Sequence, residues 1–208
     1  MKYPAQSKAL VSAALLTLAS CAPSTRIVES WKAPGVSVEA GKYNKVLVIG
    51  LLKDETSRRV AEDRMAAFMQ GRGIASYGYL GPDQSAINAE GMSAKMVKDG
   101  IDGVLIMRLS DKEVTQTYVP GTSSYYGGAW GYYGYAYPMY SSPGYVQTDH
   151  TYMVETSLYS LKHAAGPVWT CTTSVLNPTS VGTAVDDIMR AIYRKMREDG
   201  FVVDPPKQ

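Results

Sequence analysis

The chain has 208 residues, of which 45% are hydrophobic and 19% are charged, a composition typical of a single globular domain. Lysine and arginine number 21 against 19 aspartates and glutamates, so the formal net charge is only +2. Nucleic-acid binding is therefore disfavoured, because proteins that bind phosphate backbones usually carry a clear basic excess.

The first 20 residues have the layout of a secretory signal. Two lysines precede an apolar run from Ala9 to Ala19, which is well short of the roughly 20 residues needed to span a bilayer. The sequence Leu18-Ala19-Ser20-Cys21 resembles the lipobox of bacterial lipoproteins. The resemblance implies cleavage before Cys21, lipidation of its thiol and a lipid anchor in the membrane. Because Ala22 is not aspartate, it also implies the outer membrane, on the periplasmic side. The alternative is an ordinary signal peptide in which Cys21 is incidental.

Cleavage before Cys21 would leave a neutral mature chain, since two lysines are removed and 21 − 2 = 19 basic residues face 19 acidic ones. Residues 21–42 are predicted to form a tether, interrupted by proline and glycine, in which Ile27–Trp31 could still pair as an edge strand. Residues 43–208 are predicted to form one domain. Cys171 would be its one free thiol, so an internal disulfide is excluded, and its strand-like surroundings indicate a buried structural cysteine.

The first half of this domain reads as alternating strands and helices. The continuous apolar run from Lys45 to Leu51 predicts a central strand covered on both faces. Apolar residues at helical spacing then predict a helix over about 57–71. A strand over Ile74–Tyr79 and a helix over Ser85–Lys98 complete the unit.

The second half is predicted to add antiparallel strands and a last helix. The strands are Gly103–Tyr118, Tyr152–Leu161 and Val168–Leu176, and the helix starts near Val181. The fold class is therefore α/β, with a mixed sheet and the element order β-α-β-α-β-β-β-α. Right-handed crossovers predict the strand order 2-1-3-4-5, with strands numbered along the chain.

Several stretches of the predicted domain are similar to a group of small uncharacterised bacterial lipoproteins. They are Lys45–Leu51, Arg58–Asp63, Val154–Tyr159 and Val168–Thr170. The similarity implies the α/β architecture and a shared location in the envelope, and it includes no catalytic signature.

The segment 119–146 has an unusual composition and is predicted to be a long tyrosine- and glycine-rich loop. No charged residue occurs from Val114 to Thr148, and nine of the 16 tyrosines lie between Tyr118 and Tyr145. Tyrosine and glycine together give large contact areas on a pliable backbone, which favours binding of an envelope protein, a glycan or the membrane interface. The alternative is a passive low-complexity extension. The candidate binding residues are Tyr125, Tyr126, Trp130, Tyr132, Tyr133, Tyr135 and Tyr137.

Residues suited to catalysis are sparse. The two histidines are His150 and His163, and Asp149 and His150 would point to opposite faces of a strand, so we expect neither catalytic residues nor a metal or cofactor there. No nucleophile elbow, phosphate loop or zinc motif is present in the sequence.

Charged residues at the start of the first predicted helix form pairs four positions apart. Arg58 with Glu62, and Arg59 with Asp63, predict an exposed face with weak ion pairs. The alternative is an anion or partner site at the carboxyl end of the first strand. Together these features favour a non-enzymatic interaction or assembly module of the cell envelope. The alternative is a small envelope enzyme that acts on cell-wall or lipid substrates through carboxylates that the sequence does not pair.

Overall fold

The structure, a computed structural model, describes residues 24–39, 42–81, 89–121, 128–141, 144–162 and 166–203. Cys21, Tyr125, Tyr126 and His163 lie outside the described residues. The strands are β1 (Thr25–Lys32), β2 (Val38–Glu39), β3 (Val46–Leu51), β4 (Gly73–Ala75), β5 (Gly103–Val119), β6 (Tyr145–Ser160), β7 (Pro167–Leu176) and β8 (Val202–Val203). The helices are α1 (Glu55–Phe68), α2 (Ser76–Leu80), α3 (Ala89–Lys98), α4 (Ala129–Ser141) and α5 (Val181–Glu198).

A six-stranded mixed sheet in the order β1-β7-β6-β5-β3-β4 forms the centre of the fold. β3 is parallel to both β4 and β5, and the remaining neighbours are antiparallel. The predicted α/β class is confirmed. The five predicted strands occur in the predicted order, and the difference is the sixth strand, β1, which pairs with β7 at the edge.

Residues 21–42, predicted as a tether, thus contain a strand over Thr25–Lys32, longer than the edge strand considered at Ile27–Trp31. The alternation of β1 is interrupted by a register shift between Ile27 and Glu29, which hid the strand in the sequence. Asp199 at the end of α5 fixes the far half of β1: it accepts a hydrogen bond from Ser30 Oγ at 2.8 Å, and its carbonyl accepts one from Lys32 Nζ at 2.8 Å.

Two elements differ in type from the prediction. The strand predicted over Ile74–Tyr79 is only the three residues of β4, and the chain then turns into the short helix α2. The predicted loop 119–146 contains α4, and β6 starts at Tyr145 instead of Tyr152. The first error reflects tertiary context, which overrides the weak strand preference of tyrosine, whereas α4 forms although glycine disfavours helices in isolation.

The main core lies between the sheet and the helices α1 and α5. Alternate residues of β7 point into it, and Trp169, Cys171 and Val175 are almost completely buried. The apolar face of α5 is buried against them, through Val185, Ile188, Met189, Ile192 and Met196. A smaller cluster around Leu47, Ile101 and Val104 includes partly buried residues of α2 and α3. Each buried CH₂ contributes about 0.8 kcal/mol, so this layered burial is the dominant favourable term for the fold.

Candidate functional site

The outer parts of β5 and β6 extend beyond the rest of the sheet as a two-stranded ribbon. β7 ends at Leu176, which pairs with Thr151 of β6. Beyond that row, β5 and β6 pair only with each other, from Val114 opposite His150 to Val119 opposite Tyr145. We call the residues Val114–Val119, Ala129–Ser141 and Tyr145–His150 the aromatic arm; they comprise the two ribbon strands and α4.

Most side chains of the ribbon strands are exposed to solvent, and none of the described helices packs extensively against this segment. Tyr118 is 64% exposed, and its cross-strand partner Val146 and the terminal Tyr145 are exposed to a similar degree. Monomeric proteins rarely leave contiguous apolar surface of this kind uncovered unless it contacts a partner or a membrane.

Helix α4 carries the most exposed aromatic side chain in the described part of the chain, Trp130, which is 86% exposed. Trp130 and Tyr133 meet edge to face with ring centroids 6.3 Å apart, and Tyr133 stacks on Tyr137 at 5.4 Å. Tyr132 is exposed on another side of the helix. The structure therefore brings three predicted residues into one aromatic row, spaced three and four positions apart as helix geometry requires.

The three other predicted binding residues lie in parts of the segment that the structure does not describe fully. Tyr135 lies on α4, but its side chain is outside the description, and Tyr125 and Tyr126 precede the described start of the helix.

Helix α4 has little stability of its own. It is 13 residues long and contains glycine at 131 and 134 and proline at 138. Helices shorter than about 12–15 residues are marginal in water, and glycine and proline lower helix stability further. Among the described elements, none packs extensively against α4. Packing against the described elements therefore contributes little to the stability of α4.

Polar groups at the base of the arm are held by Asn177, which follows β7. Asn177 Nδ2 donates to Asp149 at 2.7 Å, and His150 N donates to Asn177 Oδ1 at 2.7 Å. Hydrogen bonds from Asn177 and from Gln147 lower the pKa of Asp149. His150 Nδ1 is buried without a hydrogen-bond partner among the described residues. No group of three or more His, Cys, Asp or Glu in the described ranges is placed to hold a metal ion.

The charged residues of α1 are arranged differently from the prediction. Glu55, rather than Asp63, is the partner of Arg59, at 2.7 Å, and it also binds Arg58 through both carboxylate oxygens. These hydrogen bonds lower the pKa of Glu55 to about 2. Asp63 instead accepts from the Tyr77 hydroxyl at 2.7 Å. Both arginines are thus engaged by a carboxylate, which weakens the case for an anion site at this edge.

Glu62 was predicted to lie on the exposed face, and this prediction is wrong. Its side chain is fully buried and accepts hydrogen bonds from Gly50 N at 3.1 Å, Ser76 Oγ at 2.7 Å and Tyr77 N at 2.9 Å. Arg58 Nη1 lies 3.7 Å away. Its position next to Ala61 and three residues before Met65, both core residues, was the only sign of burial in the sequence. Glu62 joins β3, α1 and α2.

Among the described residues, an apolar cavity lies at each end of β3, between the sheet and the helices α1 and α5. One, of 760 Å³, lies where β3 begins and α1 and α5 end, and Phe68, Tyr193 and Phe201 are among its walls. The other, of 420 Å³, lies where β3 ends and α1 and α5 begin, beside Gly50 and Tyr152.

Cys171 is buried in the main core, as predicted. Burial raises the pKa of its thiol to about 12, with a smaller contribution from the nearby Asp199 carboxylate. The thiol is therefore protonated and unreactive at neutral pH.

No family model and no curated protein matches the chain. Among solved structures, it is similar to the PelC dodecamer from Paraburkholderia phytofirmans, with 11% identity and a TM-score of 0.40 over 81% of this chain and 94% of that one. It is also similar to lipoprotein GNA1162 from Neisseria meningitidis, with 9% identity and a TM-score of 0.35 over 74% of this chain and 98% of that one. Likenesses this low carry no inference about the function of this chain.

None of the helices in the described ranges has the length and hydrophobicity required to cross a bilayer.

Proposed function

We propose that this protein is a lipid-anchored lipoprotein of the outer membrane, facing the periplasm, that acts as a non-enzymatic interaction module of the cell envelope. The proposed anchor is Cys21, at the lipobox Leu18-Ala19-Ser20-Cys21. The proposed contact surface is the aromatic arm. The observation that supports it best is the exposure of Trp130, Tyr132 and Tyr133 on a helix that the described domain leaves uncovered.

The chemistry of the arm suits recognition. Tyrosine and tryptophan combine a large apolar ring with a polar tip and lose few rotatable bonds on contact, which is why they are enriched at protein interfaces and at membrane surfaces. An envelope protein, a glycan and the membrane itself all accept this chemistry.

Three buried groups that could do acid–base or nucleophilic work, Glu62, Asp102 and Cys171, are engaged in the fold. Both oxygens of Glu62 accept hydrogen bonds from protein donors. Asp102 is similarly engaged by the backbone amides of Asn44 and Lys45. The Cys171 thiol is buried and protonated. These arrangements favour the interaction module over the alternative of a small envelope enzyme.

The anchor is tested by replacing Cys21→Ser and following the protein in a detergent phase separation. The native protein should partition into the detergent phase, whereas the variant should remain an uncleaved precursor or appear in the aqueous phase. Globomycin, which blocks the lipoprotein signal peptidase, should accumulate the native precursor. Cys171→Ser is the matched control, since it removes the other cysteine and should leave partitioning unchanged. Aqueous partitioning of the native protein would contradict the lipid anchor.

A further inference from the structure

Followed back towards Cys21, the chain leaves the sheet at the same end of the strands from which the aromatic arm projects. Thr25 pairs with Val175, which pairs with Tyr152, which pairs with Lys112, so these four residues form one row across the sheet. The Ser24 carbonyl accepts a hydrogen bond from Leu176 N, one position further out. β1, followed back towards Cys21, runs in the same direction as β5 followed towards Val119.

Chain lengths set how far each feature reaches beyond this edge. Cys21 precedes Ser24 by three residues, so it can lie no more than about 11 Å from it. The ribbon of the arm continues for six residue pairs beyond the last row of β7, about 20 Å at the usual rise of a strand. Only three residues separate the end of α4 from Tyr145. An acyl chain on Cys21 that enters a bilayer lying across this end of the strands would therefore bring the end of the arm to the same bilayer.

The charged residues of β5 and β6 end close to the point where the arm leaves the main sheet. The residues beyond Glu113 on β5, and before Asp149 on β6, carry no charge. Lys112 and Glu113 lie at this end of the main sheet, level with the start of β1 but separated from it by β6 and β7. A membrane-facing surface shows this pattern, with charges where water remains and tyrosine and tryptophan where the headgroups begin.

We infer that the aromatic arm inserts into the interface of the same bilayer that holds the Cys21 anchor, and acts as a second attachment that sets the orientation of the domain. The inference rests on the proposed function, because it requires the lipid anchor. It places the arm among lipid headgroups rather than on an envelope protein.

The distribution of side chains on α4 favours a lipid surface over a protein groove. A helix that docks in a protein groove presents one apolar stripe and keeps a polar opposite face. α4 has no charged residue, and Tyr132 is exposed away from the row formed by Trp130, Tyr133 and Tyr137. Its 13 residues span about 20 Å, which is too short to cross the hydrocarbon core. A position within the headgroup layer fits this length and composition.

The three tryptophans allow a direct test. Trp130 lies on the arm, whereas Trp31 is exposed near the opposite end of β1, and Trp169 is buried in the core. The acylated protein is reconstituted in vesicles of phosphatidylethanolamine and phosphatidylglycerol, with and without brominated acyl chains, which quench tryptophan emission on contact. Trp130→Phe removes the arm probe, and Trp31→Phe is the matched control with the same substitution at the far edge.

The native protein and Trp31→Phe should be quenched by brominated lipid, and Trp130→Phe should lose most of this quenching. Equal quenching in all three proteins, or quenching in none of them, would overturn the inference. It would also be overturned if Trp130 became buried only after an envelope extract was added to the vesicles. Flotation of the vesicles separates the two proposals. A protein that does not float with them lacks the anchor, and both proposals fail. A protein that floats with an unquenched Trp130 retains the anchor and refutes the membrane position of the arm.

Discussion

Replacing Glu62→Gln tests whether a buried carboxylate holds β3, α1 and α2 together. The substitution preserves the size of the side chain and exchanges one acceptor oxygen for an NH₂ donor. In the native protein, Oε1 accepts from Gly50 N and Ser76 Oγ, and Oε2 accepts from Tyr77 N. If the amide oxygen takes the place of Oε1, the amide nitrogen faces the N–H of Tyr77, and two donors oppose each other.

The cost follows from these contacts. A hydrogen bond to a charged group contributes about 1.5–3 kcal/mol, and a buried donor left without a partner costs about 1–3 kcal/mol. Glu62→Gln should therefore lower the free energy of unfolding by about 2–3 kcal/mol. Glu62→Ala leaves all three donors without their acceptor and should cost about 5 kcal/mol. For a domain of this size, the corresponding decreases in Tm are about 8 and 15 °C.

Urea and thermal unfolding, followed by circular dichroism, measure these differences. The matched control is Asp63→Asn, one position along α1, where the amide oxygen can still accept from the exposed Tyr77 hydroxyl. This control should remain within about 0.5 kcal/mol of the native protein. A Glu62→Gln variant as stable as Asp63→Asn would show that Glu62 does not join the three elements as an acceptor.

Three further predictions concern the arm, the thiol and one carboxylate. Replacing Pro120–Gly144 by Asn-Gly should leave the Tm no more than a few degrees below that of the native protein. The flanking strands already pair, and the shorter loop reduces the entropic cost of closing the loop by about 2 kcal/mol. Loss of cooperative unfolding would show that the segment covers the core. Cys171, whose pKa is about 12 because of burial, should resist N-ethylmaleimide at pH 8 until the protein is unfolded, and rapid labelling of the folded protein would contradict its burial. Burial alone would raise the pKa of Asp199, but hydrogen bonds, of which that from Lys195 has the largest effect, lower it. The stabilising effect of the Asp199 carboxylate should therefore be present at neutral pH and be lost below about pH 4. The stability difference between the native protein and Asp199→Asn should therefore shrink between pH 7 and acid, and an equal difference at both pH values would contradict the shift.

The strands and helices that bury a regular apolar face were predictable. Lys45–Leu51 is apolar without interruption, as a strand covered on both faces requires, and it corresponds to β3. The buried positions of α5 recur at helical spacing, so its face and ends were visible in the sequence. Right-handed crossovers then placed β3 between its two parallel neighbours.

The features that the sequence did not reveal depend on contacts between distant segments. The alternation of β1 is broken by its register shift, so the sequence showed only a short candidate strand. The burial of Glu62 depends on amide donors from Gly50 and Tyr77, which are 12 and 15 residues away. The start of β1 lies at the same end of the sheet as the arm because β1 pairs with β7, and this pairing has no local signature.

The position of β1 has a mechanical consequence. Tension on an acylated Cys21 would enter the domain at Thr25 and act along the axis of β1. The hydrogen bonds to β7 lie across this axis, so they bear the load together in shear instead of opening one after another. Ser30 and Lys32, held by Asp199, clamp the other end of the strand. With an acylated Cys21, β1 would thus transmit tension from the membrane to the rest of the sheet.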